Sequence, residues 1–320
     1  MQVILANPRG FCAGVDRAIN VVDRALQRFG APLYARHEIV HNKFIVADLK
    51  RRGVIFVDEL YQVPDKSVVV LSAHGVAKAV YEEAAERELS VIDSTCPLVT
   101  KVHYQVEKYC RAGYEVIIIG HPGHVEVTGT IGQVEDDNRW RLKVIDTVDD
   151  VASLQVKDPE NLAYVTQTTL SVDDTKEIIE ALKVRFPSII APAKEDICYA
   201  TQNRQEAVRK LTAQCDVILV IGSKNSSNSN SLKVLAEKRS VPAYLIDGPE
   251  DIQPDWLSGK RCIGVTAGAS APEVLVNKVI AQLEDWGATE IRDMQWHPER
   301  VSFRPPIMPQ RPIPLAIVNE

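Results

Sequence analysis

The stretch Asn7-Pro-Arg-Gly-Phe-Cys-Ala-Gly14 places Cys12 between a short apolar run and a segment with a helical pattern. Two later stretches repeat this arrangement, Asp93-Ser-Thr-Cys-Pro-Leu-Val99 and Asp196-Ile-Cys-Tyr-Ala-Thr-Gln-Asn-Arg204. A polar motif follows each of these cysteines after 28 to 30 residues, and a second polar motif follows after 62 to 72 residues. The spacing predicts three equivalent units, each of which points one thiol and two polar loops toward a common centre.

Short β-branched runs alternate with helical patterns along the chain, which predicts parallel sheets covered by helices on both faces. The predicted strands are Val3–Leu5, Val54–Val57, Val68–Leu71, Val116–Ile119, Val217–Ile221 and Cys262–Val265. The predicted helices are Gly14–Phe29, Ala77–Glu88, Val99–Ala112, Val172–Phe186, Gln202–Gln214 and Pro272–Trp286. The expected fold class is α/β, with three quasi-equivalent domains in a pseudo-threefold arrangement.

The repeat divides the chain into units 1–87, 88–187 and 188–284, followed by a tail 285–320. The tail is rich in proline and lacks clear periodicity, so we expect it to pack over the other units. Ligands of open α/β sheets bind beyond the carboxyl ends of the strands. Because all the polar motifs follow strands, we expect them to line one central cavity.

Composition restricts the class of function. The chain has 320 residues, 45% hydrophobic residues and a net charge of −6, as expected for a globular protein without a basic surface for nucleic acid or anionic membranes. Six cysteines are too few for a disulfide scaffold, and neither a signal peptide nor a membrane-spanning run is recognisable. We therefore expect a cytoplasmic location, where thiols stay reduced and able to bind metal.

Cys12, Cys96 and Cys198 occupy predicted strand-to-helix turns, where backbone N–H groups and the helix dipole favour a thiolate. Three thiolates at one point indicate a metal cluster with an open coordination position. None of the three belongs to a C-x-x-C pair, although zinc held by three thiolates stays an alternative. The remaining cysteines are predicted to be ordinary buried residues; they are Cys110, Cys215 and Cys262.

The polar motifs supply hydrogen-bond donors suited to a phosphate or diphosphate, whereas neutral hydroxyls and amides are poor metal ligands. Their candidate binding residues are His41, His74, His124, Thr168, Asn228 and Ser270. The run Gly222-Ser-Lys-Asn-Ser-Ser-Asn-Ser-Asn230 resembles an anion-binding nest at a helix start. Glu126 is a candidate proton donor because desolvation near such a cavity raises a carboxyl pKa, and Thr168 with Thr169 could relay that proton.

These motifs resemble the LytB/IspH family, the 4-hydroxy-3-methylbut-2-enyl diphosphate reductases, over nearly the whole chain up to about residue 284. Besides the three cysteine stretches, the motifs that carry the resemblance are Ser72-Ala-His-Gly-Val76, Thr166-Gln-Thr-Thr-Leu-Ser171, Gly222-Ser-Lys-Asn-Ser-Ser-Asn-Ser229 and Thr266-Ala-Gly-Ala-Ser-Ala-Pro272. The chain departs from the family pattern at Val125, where proline is usual, and at Ser231, where a basic residue is common.

The resemblance implies three α/β domains around a [4Fe–4S] cluster held by Cys12, Cys96 and Cys198, with one iron free of protein ligands. It implies substrate binding, mostly at the diphosphate, by His41, His74, His124, Thr168, Ser226, Ser227, Asn228 and Ser270. Glu126 matches the proton-delivering acid, Thr168 matches the hydroxyl near the substrate alcohol, and His124 is expected to contribute to catalysis as well as binding.

The implied reaction is reductive removal of an allylic hydroxyl group, with two electrons and two protons, to give isopentenyl and dimethylallyl diphosphates. The implied electron donor is ferredoxin or flavodoxin with its reductase. Two other classes stay open: an iron–sulfur hydro-lyase acting on a phosphorylated substrate, which needs no net electrons, and a non-enzymatic iron–sulfur redox sensor, which needs no diphosphate pocket.

Overall fold

A computed structural model describes residues 1–295 and 299–309 as alternating strands and helices. The strands are β1 Gln2–Leu5, β2 Leu33–Arg36, β3 Val54–Val57, β4 Val68–Leu71, β5 Ser90–Asp93, β6 Glu115–Ile119, β7 Leu142–Ile145, β8 Leu162–Thr166, β9 Val217–Ile221, β10 Ala243–Ile246, β11 Cys262–Ala267 and β12 Glu290–Asp293. The helices are α1 Ala13–Phe29, α2 Lys43–Arg51, α3 Lys78–Glu86, α4 Pro97–Arg111, α5 Val125–Ile131, α6 Val148–Ser153, α7 Val172–Arg185, α8 Tyr199–Thr212, α9 Ser227–Lys238 and α10 Glu273–Asp285.

The strands form three separate sheets, and every paired neighbour runs parallel. The N-terminal sheet has the order β3-β2-β4-β5, the middle sheet β7-β6-β8 and the C-terminal sheet β10-β9-β11-β1-β12. The central strands β6 and β9 are buried along their whole length and consist almost entirely of valine, isoleucine and leucine, as parallel strands covered on both faces require. The predicted class, α/β with three parallel sheets, is confirmed.

Sheet membership crosses the predicted unit boundaries. β5 lies beyond residue 87, yet it extends the N-terminal sheet by pairing with β4. β1 pairs with β11 of the C-terminal sheet on one side and with β12 on the other. β5, the strand that leads into Cys96, therefore belongs to the sheet of the preceding unit. β1, the strand that leads into Cys12, belongs to the C-terminal sheet. The division of the chain into units that end at residues 87, 187 and 284 stays a prediction.

The predicted tail contributes a strand that its sequence did not indicate. β12 reads Glu-Ile-Arg-Asp and lies at the sheet edge with three of its four side chains exposed, so it carries no apolar alternation. Further on, Glu299 pairs with Arg204 and the carbonyl oxygen of Arg304 accepts a hydrogen bond from Arg17. Residues 296–298 and 310–320 of the tail lie outside the described residues.

Within residues 1–295 and 299–309, no helix combines the length and the apolar character that crossing a bilayer requires.

Candidate active site

The carboxyl ends of strands from all three sheets meet around one cavity of about 700 Å³, counting the part open to solvent. Each residue that the sequence proposed for the site lines this cavity. They are Cys12, Cys96, Cys198, His41, His74, His124, Glu126, Thr168, Ser226, Ser227, Asn228 and Ser270. The motifs thus come together as the spacing of the repeat predicted.

The three cysteines occupy equivalent backbone positions, each as the N-cap residue of a long helix: α1, α4 or α8. Each cysteine also donates its backbone N–H to a loop that follows a neighbouring strand. The amides of Cys12, Cys96 and Cys198 reach the carbonyl oxygens of Ala269, Ala73 and Thr168 at 3.3, 2.9 and 3.0 Å. The thiols therefore lie at the positive ends of three helix dipoles, which stabilise thiolates.

The three thiols line one cavity. A Cβ atom added at Gly14 would lie 2.8 Å from Sγ of Cys96 and 3.8 Å from Sγ of Cys12, so both thiols border the same space. Yet within the described part of the chain no three histidine, cysteine or acidic side chains are close enough to hold one metal ion. Three thiols that line one cavity suit a cluster in which each thiolate binds its own iron.

Burial also affects the protonation of these thiols. Burial raises the pKa of the Cys96 thiol to about 12 and that of Cys198 to about 11. Thiols with such pKa values remain protonated at neutral pH unless a cation displaces the proton. Cys198 has a hydroxyl neighbour, since its Sγ lies 3.2 Å from Oγ1 of Thr201. The residues present fit an iron–sulfur cluster.

Three imidazole rings form one wall of the cavity. His41 and His74 stack with centroids 4.1 Å apart, and His124 meets them edge-on at 5.7 and 6.1 Å. Burial, followed by the neighbouring His41, lowers the pKa of His124 to about 4, and burial together with both other rings lowers the pKa of His74 well below its usual value. The three rings cannot all carry charge without an anion between them.

A second part of the cavity wall consists of hydroxyl and amide groups on α9 and its neighbours. Ser226 is the N-cap residue of α9, and its Oγ accepts a hydrogen bond from the Ser229 amide at 3.3 Å. Asn228 accepts the Ala269 amide at 2.8 Å through Oδ1. Ser270 donates to the His41 carbonyl oxygen at 2.8 Å, which joins the C-terminal and N-terminal sheets. This wall brings a helix N-terminus and several hydroxyl and amide groups into the same cavity as the histidines, as an anion site requires.

Close packing explains two glycines behind this wall. A Cβ atom at Gly222 or Gly268 would lie 2.1 or 2.0 Å from Oγ of Ser229. Any side chain there would push α9 away from the ends of β9 and β11, and with it the donors of Ser226 and Asn228.

Glu126 and Thr168 form a buried pair in the middle sheet. Glu126 is 3% exposed, and its two carboxyl oxygens accept hydrogen bonds from the Thr168 backbone N–H at 2.7 Å and from the Thr168 hydroxyl at 3.0 Å. Burial outweighs these hydrogen bonds and raises the pKa of Glu126 to about 7. The carboxyl group is therefore poised to give up a proton near neutral pH.

Three polar residues that the sequence did not single out complete the network. Glu38 contacts His41, Asn225 contacts Glu38, and Thr201 lies between Cys198 and Asn228. Thr201 is three residues after Cys198 on α8, so helical spacing could have indicated it. Asn225 is 187 residues from Glu38, and only the fold brings them together.

Comparison with known proteins places this site in a family. The model of the LytB protein family matches residues 3–284. A 4-hydroxy-3-methylbut-2-enyl diphosphate reductase of Pseudomonas putida (strain W619) is 61% identical over 306 residues, covering 96% of this chain and 97% of the relative. The reductase of that name from Ectopseudomonas mendocina (strain ymp) is 59% identical, with 96% and 98% covered.

Two solved structures are similar to this chain over most of its length. The structure of the E-1-hydroxy-2-methyl-but-2-enyl-4-diphosphate reductase from Plasmodium falciparum superposes with a TM-score of 0.91 at 38% identity, covering 95% of each chain. A structure of (E)-4-hydroxy-3-methyl-but-2-enyl diphosphate reductase, described as the terminal enzyme of the non-mevalonate pathway, gives a TM-score of 0.63 at 31% identity. It covers 89% of this chain and 100% of its own. With nearly complete coverage by both sequence and structure, the chain belongs to the LytB protein family.

Proposed function

We propose that this protein reduces (E)-4-hydroxy-3-methylbut-2-enyl diphosphate to isopentenyl and dimethylallyl diphosphates. The reaction consumes two electrons and two protons, breaks the allylic C–O bond and releases the oxygen as water. One observation carries the proposal: a single cavity receives three thiols, a wall of anion-binding donors and a buried acid with a raised pKa.

The diphosphate is assigned to the space between the histidine wall and the start of α9. The cavity is lined both by His41, His74 and His124 and by the hydroxyl and amide groups of Ser226, Ser227, Asn228 and Ser270. The N-terminus of a 12-residue helix adds its dipole to these donors. Anchoring the charged end of the substrate holds its reacting end in one place, which lowers the entropic cost of reaction.

Glu126 is assigned as the source of the proton that leaves with the oxygen. The two carboxyl oxygens of Glu126 lie 2.7 Å from the Thr168 backbone nitrogen and 3.0 Å from the Thr168 hydroxyl oxygen. When Glu126 is protonated, the hydrogen bond to the hydroxyl reverses, and Glu126 donates its own proton to the Thr168 oxygen. The Thr168 hydroxyl hydrogen is then free to point into the cavity that both residues line. This geometry moves a proton from a buried acid to the substrate alcohol through one hydroxyl group.

Cys12, Cys96 and Cys198 would hold a [4Fe–4S] cluster with one iron free of protein ligands. Such a cluster supplies electrons and a Lewis acid for an alcohol oxygen. The expected electron donor is ferredoxin or flavodoxin with its reductase.

Anaerobic reconstitution with iron and sulfide, followed by a reductant-driven assay on the hydroxylated diphosphate, tests the proposal. Four irons per chain and product formation that depends on the reductant are expected. Turnover without reductant would identify a hydro-lyase instead. A bound cluster without diphosphate binding would indicate a redox sensor.

A further inference from the structure

Arg204 is the largest fully buried side chain among the described residues, and the proposed function gives it no role. It closes the sequence motif that contains Cys198, and it lies on α8, the helix that begins after that cysteine. A buried guanidinium is destabilising unless charged and hydrogen-bonding groups surround it. The groups that contact Arg204 therefore indicate what it does.

The Arg204 guanidinium binds the backbone directly before Cys12. Its Nε and Nη2 donate to the carbonyl oxygen of Gly10 at 3.0 and 2.6 Å, and Nη2 also donates to that of Phe11 at 3.1 Å. A hydrogen bond from a charged donor is stronger than one between two neutral groups. The position of Cys12 therefore depends on a side chain from α8.

A second side chain of α8 holds the backbone directly after Cys12. The Ala13 amide donates to the Tyr199 hydroxyl at 3.2 Å. Since Cys198 is the N-cap residue of α8, this helix carries one thiol of the cavity at its start and holds the loop of another through its side chains. The relative placement of Cys12 and Cys198 is thus set by one helix and one loop.

The tail supplies a counter-ion for the guanidinium. Oε1 of Glu299 lies 3.1 Å from Nη1 of Arg204, and Oε2 lies 3.4 Å from both Nη1 and Nη2. The Glu299 side chain is 16% exposed, and its Oε1 also accepts the Asn203 side-chain amide at 2.9 Å. Asp16 interacts with Arg204 through charge as well, but Glu299 is the carboxylate within hydrogen-bonding distance. One edge of the guanidinium meets carbonyl oxygens and the other meets this carboxylate, which fixes its plane.

We propose that Arg204 is a positioning residue for the iron–sulfur cluster, and that Glu299 makes retention of the cluster depend on the tail. The inference rests on the proposed function, since it takes Cys12 and Cys198 as cluster ligands. Arg204 holds the Cys12 loop against α8, and Glu299 keeps the guanidinium in the orientation that reaches both carbonyl oxygens. Groups that orient a ligand in this way strengthen metal binding, so loosening the Cys12 loop should speed the loss of iron.

The test measures the rate at which the reconstituted holoenzyme, kept anaerobic, releases iron to an excess of an iron chelator. Arg204→Lys keeps the positive charge, but an ammonium group is a point charge that cannot reproduce the fork of a guanidinium. Arg87→Lys is the matched control. Arg87 likewise donates to two carbonyl oxygens, those of Leu60 and Val63, and pairs with Asp65, and it lies outside the set of residues that line the cavity.

We expect Arg204→Lys to release iron about tenfold faster than the wild type, because loss of a group that orients a ligand typically weakens metal binding by about that factor or more. Glu299→Gln should act in the same direction. Adding it to Arg204→Lys should cause little further acceleration, since both changes act through one contact. The electron paramagnetic resonance spectrum of the reduced cluster should change in Arg204→Lys, because Cys12 is displaced, and should match the wild type in Arg87→Lys.

Wild-type rates and spectra in both Arg204→Lys and Glu299→Gln would overturn the inference. Equal acceleration in Arg87→Lys would do the same, because general loss of stability would then explain the release of iron. Fully additive effects in the double variant would refute the link to the tail. If circular dichroism shows that Arg204→Lys does not fold, Glu299→Gln decides by the same two measurements. If the wild type itself takes up no iron and sulfide, the cluster assignment of the proposed function is wrong, and this inference falls with it.

Discussion

Replacing Glu126 by glutamine tests whether this carboxyl group delivers a proton, while keeping the hydrogen bonds that it makes in the fold. Glutamine copies the hydrogen bonds of the protonated acid: Oε1 accepts the Thr168 N–H, and Nε2 donates to the Thr168 hydroxyl in place of the carboxyl proton. Only the ability to release a proton is lost. General acid catalysis contributes about 10²–10⁴-fold, so kcat should fall by that factor. The Kd of the substrate on the oxidised enzyme should barely change, because the diphosphate donors are untouched.

The same substitution should make the protein more stable at alkaline pH. Burial raises the pKa of Glu126 from an ordinary 4.5 to about 7, so the folded state binds this proton more tightly than the unfolded state does. The resulting destabilisation is absent below about pH 4.5, develops between pH 4.5 and 7, and is complete above pH 7, where it is on the order of 3 kcal/mol at most. The glutamine variant carries no such penalty. It should exceed the wild type in stability near pH 8 and lose that advantage as the pH falls toward 4.5.

The assays are single-turnover and steady-state rates of the holoenzyme, together with urea unfolding of the metal-free protein at two pH values. Wild-type activity should also decline as the pH rises past about 7, where Glu126 loses its proton. Glu115→Gln is the matched control, since Glu115 is 2% exposed and accepts backbone N–H groups far from the cavity. Near-normal turnover by Glu126→Gln would remove Glu126 from the mechanism. A loss of stability at every pH would show that its carboxylate form is structural.

Three further predictions concern the cluster, the anion site and the tail. Cys96→Ser should abolish or severely deplete bound iron and sulfide, whereas Cys110→Ser should retain the full amount; equal iron content in the two variants would reject Cys96 as a ligand. Asn228→Ala should weaken diphosphate binding by roughly 1.5–3 kcal/mol while iron content stays complete, and an unchanged Kd would count against the anion site. Glu299→Gln should lower the free energy of unfolding by about 3 kcal/mol, because it leaves the fully buried Arg204 guanidinium without its counter-ion at 3.1 Å; unchanged unfolding in urea would refute the pairing.

Strong apolar runs and long amphipathic patterns could be predicted from the sequence. Val54–Val57, Val68–Leu71 and Val217–Ile221 are strands with the predicted bounds, and the long helices differ by a few residues at their ends. Short or polar elements were predicted only in part or missed. For α9 the sequence indicated a helix start in the polar run after β9 but not the extent of the helix, because Ser226 and the following serines and asparagines have low helix propensity and are held by capping and tertiary contacts. The edge strand β12 was missed because its side chains are mostly charged.

The candidate site could be predicted residue by residue, but its connections could not. Patterns along the chain place a histidine or a hydroxyl at a strand end, and they do not show which ring receives a carboxylate. Glu38 is only three residues from His41, yet its contact with that ring depends on how the ring is oriented, and its contact with Asn225 spans 187 residues of chain. Contacts of this kind follow from the three-dimensional fold, and residue types along the chain do not specify them.

The units predicted from the repeat differ from the sheets of the fold because the spacing of a repeat does not fix where each unit begins. A periodic sequence gives the spacing of equivalent residues, but any point in the period can serve as the boundary. In the fold, the strand before Cys96 joins the sheet that already carries His41 and His74, and β1 brings Cys12 to the sheet of Asn228 and Ser270. The backbone N–H of each cysteine thus bonds to a loop of another unit, which is the preceding unit for Cys96 and Cys198 and the last unit for Cys12. Each cysteine is therefore held by backbone contacts with a different unit of the chain, so the units must pack together to complete the site.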